Sequence, residues 1–107
     1  MFKTVTIDGK EMEFAANAAT PFRYKQVFHK DLLAIFADEQ NAQTQGVEAV
    51  TELAYIMAKQ AEKADMSKLN YDEFIQWLED YSPMAFVETA EEILSVYTDS
   101  AVSTATP

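Results

Sequence analysis

The sequence predicts a mainly α domain, a short N-terminal β-hairpin followed by about four amphipathic helices, which is α+β by strict count. Three observations carry this. Apolar and polar residues alternate only within the first fifteen positions, and after Pro21 the apolar ones recur at steps of three and four. Only two glycines and three prolines interrupt the 107 residues. Hydrophobic residues make up 49% of the chain, with seven Phe, five Tyr and one Trp, enough to build a core without a disulfide or metal staple. The length accommodates one domain, expected over 1–99, with 100–107 as a disordered tail.

The hairpin is expected over 4–15. Val5 and Ile7 alternate with Thr4 and Thr6, and Met12 and Phe14 alternate with Glu11 and Glu13. Between them Asp8-Gly9 supplies two residues that tolerate the positive φ of a tight primed turn. A lone hairpin is marginal in water, so its apolar face must rest on helices. Thr20-Pro21 is a helix start, with a hydroxyl to cap the first turn and proline where no amide hydrogen is needed. The helix it opens, near 21–38, carries Tyr24, Val27, Phe28, Leu32, Ile35 and Phe36 as one stripe.

The polar run DEQNAQTQG, ending at Gly46, then reads as a connection. In a second helix, near 46–65, Val47, Val50, Leu53, Ala54, Met57, Ala58 and Ala61 share a face, while Tyr55 and Ile56 lie off it. A helix apolar on two sides is either central or a contact surface. Asn70 and Glu73 form a variant of the capping box for a third helix near 71–81. Tyr71, Phe74, Ile75, Leu78 and Tyr81 are its apolar face, with Trp77 pointing partly elsewhere. Ser82-Pro83 repeats the hydroxyl–proline start for a fourth helix near 83–98, striped by Phe86, Val87, Ala90, Ile93, Leu94 and Tyr97.

Charge and composition exclude several classes. Eighteen acids against eight bases give a net charge of −10, the opposite of what a phosphate-backbone binder needs, so no nucleic-acid partner is expected. The absence of cysteine removes disulfides, thiol catalysis and Cys-type zinc sites. The start MFKTVTIDGKEMEF has no signal-peptide pattern, and no apolar run reaches the roughly 20 residues of a membrane span, so a soluble cytoplasmic chain without membrane partners is expected. Charge is also polarised. Five of the eight bases (Lys3, Lys10, Arg23, Lys25, Lys30) fall in the first thirty positions, whereas from Leu69 onward there are eight acids and no Lys or Arg. Such polarity favours head-to-tail contact between copies or docking of a basic partner. A solvated acidic surface that aids solubility explains the same acids, and on sequence alone that reading is preferred.

No catalytic constellation emerges, and neither a metal nor a cofactor is expected. His29 is the only histidine, and Asp31, two residues away on a helix, points in a different direction. The stretch EKADMSKLNYDEF has the outline of the exit half of an EF-hand, but with Glu73 as closing carboxylate the earlier ligand positions fall on Glu62, Ala64 and Met66, and Ser67 stands where glycine is needed. Two of those three ligand positions lack a side-chain oxygen, so it reads as a helix–turn–helix junction. Asp72-Glu73, Glu79-Asp80 and Glu91-Glu92 are sequence neighbours that diverge by about 100° on a helix and make no acid/base pair across a cleft. The aromatics are the remaining unusual feature. Most fall on core stripes, but Phe22, Tyr55 and Trp77 do not, and if exposed they are candidate anchors for a protein partner.

The segment Ala19-Thr20-Pro21-Phe22-Arg23-Tyr24-Lys25-Gln26-Val27-Phe28-His29-Lys30-Asp31-Leu32-Leu33 resembles the tail assembly chaperones of long-tailed, siphovirus-type bacteriophages of Gram-positive hosts. Members of that family are similar in having a short β segment ending in Ala-Thr-Pro, an Arg-Tyr-x-x-x-Phe-x-x-Asp-Leu-Leu helix, an Ala-rich helix and an acidic aromatic helix like Tyr71–Tyr81. The resemblance covers roughly residues 3–97, is specific at the Thr-Pro helix and compositional beyond it. At His29 glycine or another small residue would also fit, so the resemblance gives it no role. It implies a non-enzymatic assembly factor in the host bacterial cytoplasm. Such a factor binds and solubilises the tape measure protein, helps recruit the major tail (tube) protein, and is not retained in the mature virion. It also implies that a frameshifted longer product often exists, with Ser100–Pro107 as a place for the junction.

Copies of the chain are expected to associate through Arg23, Lys25 or Lys30 of one and Asp72, Glu73 or Glu79 of the next, in a salt-sensitive manner. Three other classes compete. An acidic protein-binding module, a DNA-mimicking inhibitor or antitoxin-like, would sequester a basic partner. A small calcium sensor would gain helicity with calcium. An enzyme would need carboxylates that meet only after folding.

Overall fold

Asp8 and Gly9 decide the first element. Both hold positive φ, 56° and 77°, the pair of left-handed residues that a two-residue type I′ turn requires. That turn joins β1 (Phe2–Ile7) to β2 (Lys10–Ala15) in antiparallel register, with Val5 opposite Met12 and Ile7 opposite Lys10. Because cross-strand partners share a face, Val5, Ile7, Met12 and Phe14 point the same way, and Val5, Ile7 and Phe14 are buried. The computed structural model describes residues 2–32, 34 and 39–103.

After the hairpin come α1 (Thr20–Phe28), α2 (Glu39–Ala61), a 3₁₀ turn (Met66–Lys68), α3 (Tyr71–Leu78), α4 (Ala85–Glu88) and α5 (Ala90–Ser103). The expected class, mainly α with a short N-terminal hairpin, is the one observed. Helix α2 is the hub. It packs against β2, α1, α3, α4 and α5, and its residues Glu52 to Ala58 are buried without interruption. The expectation that this helix is apolar on two sides therefore holds in its central form: seven consecutive residues can be buried only if neighbours surround the helix. Tyr24, Leu53, Ile56, Ile93 and Val96 complete the core.

Several boundaries differ from expectation, each for a local reason. The helix expected over 21–38 stops at Phe28, because His29 adopts φ 58° and caps it with a bond from its N–H to the Lys25 carbonyl, 2.8 Å. A new turn starts at Asp31, whose carboxylate accepts from the Ala34 N–H at 3.3 Å, and Leu32 is buried. The rest of that segment, including Ile35 and Phe36 of the expected stripe, lies outside the described residues. Helix α2 begins at Glu39, so the polar run ending at Gly46, expected as a connection, is helical over 39–46. The fourth helix divides at Thr89, where φ is −107° and the hydroxyl bonds back to the Ala85 carbonyl at 2.8 Å. Its second part runs through Ser103, so the expected disordered tail is helical over 100–103, and 104–107 lie outside the described residues.

The start signals also act differently from one another. Asn70 caps α3 as expected, accepting from the Glu73 N–H at 2.9 Å. Thr20 lies inside the first turn of α1, where its hydroxyl accepts from the Asn17 N–H and the Gln60 amide, both at 3.0 Å. Ser82 does not cap α4. Its N–H and hydroxyl both bond to the Asp8 carboxylate, which docks the hairpin turn on the α3–α4 connection.

Candidate functional site

Inside the domain one polar cluster stands out. Glu52, in the middle of α2, is 1% exposed, and its Oε1 accepts from the Tyr24 hydroxyl at 2.6 Å and pairs with Lys30 Nζ at 3.0 Å. Lys30 also reaches Glu48 at 3.3 Å. Burial and then the Glu52 carboxylate push the Tyr24 ionisation far above its ordinary value. For Lys30, burial alone would lower the pKa, but the hydrogen bond and charge of Glu52, with Glu48 behind it, outweigh that and raise it. Beside this cluster Gln60 donates to the Ala15 carbonyl at 2.7 Å as well as to Thr20, tying the end of the hairpin to the start of α1.

A continuous set of rings runs across the core from Tyr24 through Phe28, Tyr55, Phe74 and Trp77 to Tyr81 and Phe86, with neighbouring centroids 5.0 to 6.4 Å apart in tilted, stacked and edge-on arrangements. The Tyr55 hydroxyl is enclosed without a hydrogen-bond partner among the described residues. Burial first, then the charges of Glu73 and Glu62, push its ionisation up. Glu73 acts on it through its charge and stands outside hydrogen-bonding geometry.

Of the three aromatic anchors read from the sequence, the structure leaves one on the surface. Phe22 is 75% exposed, Trp77 is half-buried among Tyr55, Tyr81 and Phe86, and Tyr55 is fully buried. Tyr55 is therefore a core residue, because a helix enclosed on every side has no outward face for residues off its stripe. Among the charged candidates Lys30 is committed to Glu52 and Glu48 within the chain, which removes it as a free self-association contact. Lys25, Asp72 and Glu79 are exposed, Arg23 and Glu73 half-buried. Arg23 lies against a concavity of about 300 Å³ shared with Asn17, Gln60 and Lys63.

The surface itself holds features that sequence reading missed. Tyr71 and Ile75, one turn apart on α3, are both exposed although their stripe predicted burial. Val47, Met84 and Val87 are exposed as well. Val47 and Val87 border an apolar groove of about 240 Å³ with Thr51, Leu78, Tyr81, Ser82, Pro83 and Phe86. The one sequence signal of such a surplus is the number of large aromatics, seven Phe, five Tyr and one Trp, in so short a chain.

Among the described residues no group of three or more His, Asp or Glu side chains is placed to hold a metal ion. The segment read against an EF-hand is a capped junction: Asp65 accepts from the Ser67 N–H at 3.0 Å and its hydroxyl at 2.6 Å, bonds that lower the Asp65 pKa. No helix is long and apolar enough to cross a membrane among the described residues. Comparison with protein families, with curated proteins and with solved structures finds no match.

Proposed function

We propose that this chain is a phage tail assembly chaperone, a non-enzymatic protein that binds the apolar helices of a tape measure protein in the host cytoplasm and keeps them in solution until the tail tube forms around them. The tube protein is then recruited and the chaperone leaves. The observation that carries the reading is a surface combining large exposed apolar side chains with a strong negative charge. Phe22, Val47, Tyr71, Ile75, Met84 and Val87 are exposed on a chain of net charge −10. Apolar side chains supply affinity for an apolar partner, and the surplus of carboxylates repels one coated partner from the next. On α3 the pair Tyr71 and Ile75 presents one outward apolar strip, the i, i+4 spacing that packs along another helix. The resemblance of residues 19–33 to the chaperone family supports the same reading.

The test is co-expression with a long, coiled-coil-rich tape measure protein encoded in the same genome. The tape measure protein is expected to become soluble and co-purify with many copies of this chain. A tape measure protein that stays insoluble beside free chaperone refutes the reading and favours an acidic module that sequesters a basic partner.

A further inference from the structure

Two surfaces of this domain complement each other, and they lie where one molecule cannot bring them together. The first is a knob. Phe22 is the most exposed of the described large apolar side chains, and it stands in the first turn of α1 beside Arg23 and the exposed Lys25, with Lys63 across the shared concavity. The second is the apolar groove between Val47 and Thr51 of α2 and the segment from Leu78 to Val87. Exposed Glu48, Glu79, Asp80 and Glu88 each stand next in sequence to a lining residue, and no Lys or Arg occurs in the sequence after Lys68. Of the cations, Lys30 is paired with Glu48 and Glu52, and Lys10 donates to the Asp80 carbonyl at 3.0 Å. The rim thus keeps a surplus of negative charge.

Helix α1 runs antiparallel to α2, since Thr20 meets Gln60, Tyr24 meets Glu52 and Lys30 meets Glu48. Phe22 therefore sits beside the C-terminal half of α2, about 10 Å along the axis from the groove. Two residues from Tyr24, it is turned about 200° away from the face that packs on α2. It points into solvent and away from its own groove.

We propose that Phe22 of one copy seats in the groove of a second copy, with Arg23 and Lys25 against Glu79, Asp80 and Glu88. The contact is head-to-tail, so a pair of copies still has one free knob and one free groove, and association extends into chains or closes into rings. This inference does not depend on the tape measure reading. It replaces the expected role of Lys30, which is spent inside the fold, and gives the basic flank an apolar centre.

The decisive experiment uses two exposed-site variants of the whole chain, Phe22→Ser (knob removed) and Val87→Glu (groove blocked), with circular dichroism confirming that both remain folded. Mass is measured by sedimentation up to about 1 mM protein, at low salt and at high salt. The wild type is expected to grow with concentration and to dissociate in high salt. Each variant alone should associate at least about 30-fold more weakly, the loss of a central aromatic anchor. Mixed in equal amounts, the two variants should form a 1:1 dimer that grows no further, because one retains its groove and the other its knob. A wild type that stays monomeric at about 1 mM overturns the proposal, as does assembly unaffected by either variant. Monomeric variants that fail to pair on mixing also overturn it, since they would indicate a self-complementary two-fold contact.

Discussion

Replacing Lys30 by methionine isolates the energetics of the buried carboxylate. Glu52 is enclosed in the middle of α2, and its charge is met by the Tyr24 hydroxyl at 2.6 Å and Lys30 Nζ at 3.0 Å. Removing one partner of a fully buried ion pair costs roughly 3–5 kcal/mol, because the remaining charge keeps its desolvation penalty. Lys30 is 34% exposed, so water can take part of its place, and screening cuts the expected loss to about 2 kcal/mol. For a domain of this size that is a fall in Tm of roughly 8–16 °C. Glu52→Gln keeps an acceptor for Tyr24 and frees Lys30 into solvent, so about 1 kcal/mol is expected. The double variant no longer buries an unpaired charge and should lose less than the sum of the single changes. Urea unfolding followed by far-ultraviolet circular dichroism and by the fluorescence of Trp77, the single tryptophan, measures all three. A Lys30→Met loss below about 0.5 kcal/mol, additive with Glu52→Gln, would refute the reasoning and make the contact equivalent to a surface pair.

Four further outcomes are expected. His29→Gly should raise stability by roughly 0.5–1 kcal/mol, read from the urea midpoint, since φ at that position is 58° and glycine adopts it freely. Gln60→Leu should cost roughly 1–3 kcal/mol in the same assay, because the Ala15 carbonyl and Thr20 hydroxyl lose their donor. Raising pH should unfold the domain on the alkaline side of 10.0, the ordinary tyrosine value: Tyr24, Tyr55, Tyr81 and Tyr97 are all shifted upward, so the stability they hold at neutral pH is lost as pH climbs past that value toward their folded-state ionisations. Tyrosinate absorbance should then rise together with the loss of helicity, and ionisation of these four rings in a domain still fully helical would contradict the burial described. Tyr71→Ser combined with Ile75→Ser should reduce tape measure co-purification at least about tenfold while moving Tm by only a few degrees; unchanged co-purification would exclude the α3 strip as the contact.

The fold class was legible because its signals are local. Alternation around Asp8-Gly9 specifies a two-residue hairpin, and Asn70 with Glu73 marks a helix start whose bond is present at 2.9 Å. Boundaries were less legible where a tertiary contact overrode a local signal. His29 carries no sequence mark of a helix end, yet the break there lets Lys30 reach Glu52 and Leu32 enter the core. Thr20 and Ser82 have the chemistry of caps, but Gln60 and Asp8, 40 and 74 residues away, claim them. Tyr55 shows the limit of face assignments. Its helix is enclosed on all sides, so leaving the main stripe moves a residue from one buried contact to another. The same uncertainty hid Tyr71 and Ile75, which lie on a stripe by spacing and outside it in space.

A contact made by one aromatic knob and a few ion pairs has a bounded strength. Full burial of a phenylalanine contributes roughly 2–3 kcal/mol, and each solvent-exposed pair adds at most about 1 kcal/mol. Contacts of that combined size are weak between free copies, with dissociation constants on the order of 0.1–1 mM. The balance changes when copies sit side by side on one long partner, where effective concentrations reach the millimolar range. Contacts between neighbours and contacts with the partner would then reinforce each other, and the coat would form on the partner while free protein stays dispersed. It follows that Phe22→Ser, which leaves Tyr71 and Ile75 in place, should still co-purify with a tape measure protein but in fewer copies per chain. The number bound should rise gradually with concentration where the wild type saturates over a narrow range. Equal stoichiometry and equal steepness for the two would separate coating from self-association and leave the apolar strip of α3 to act alone.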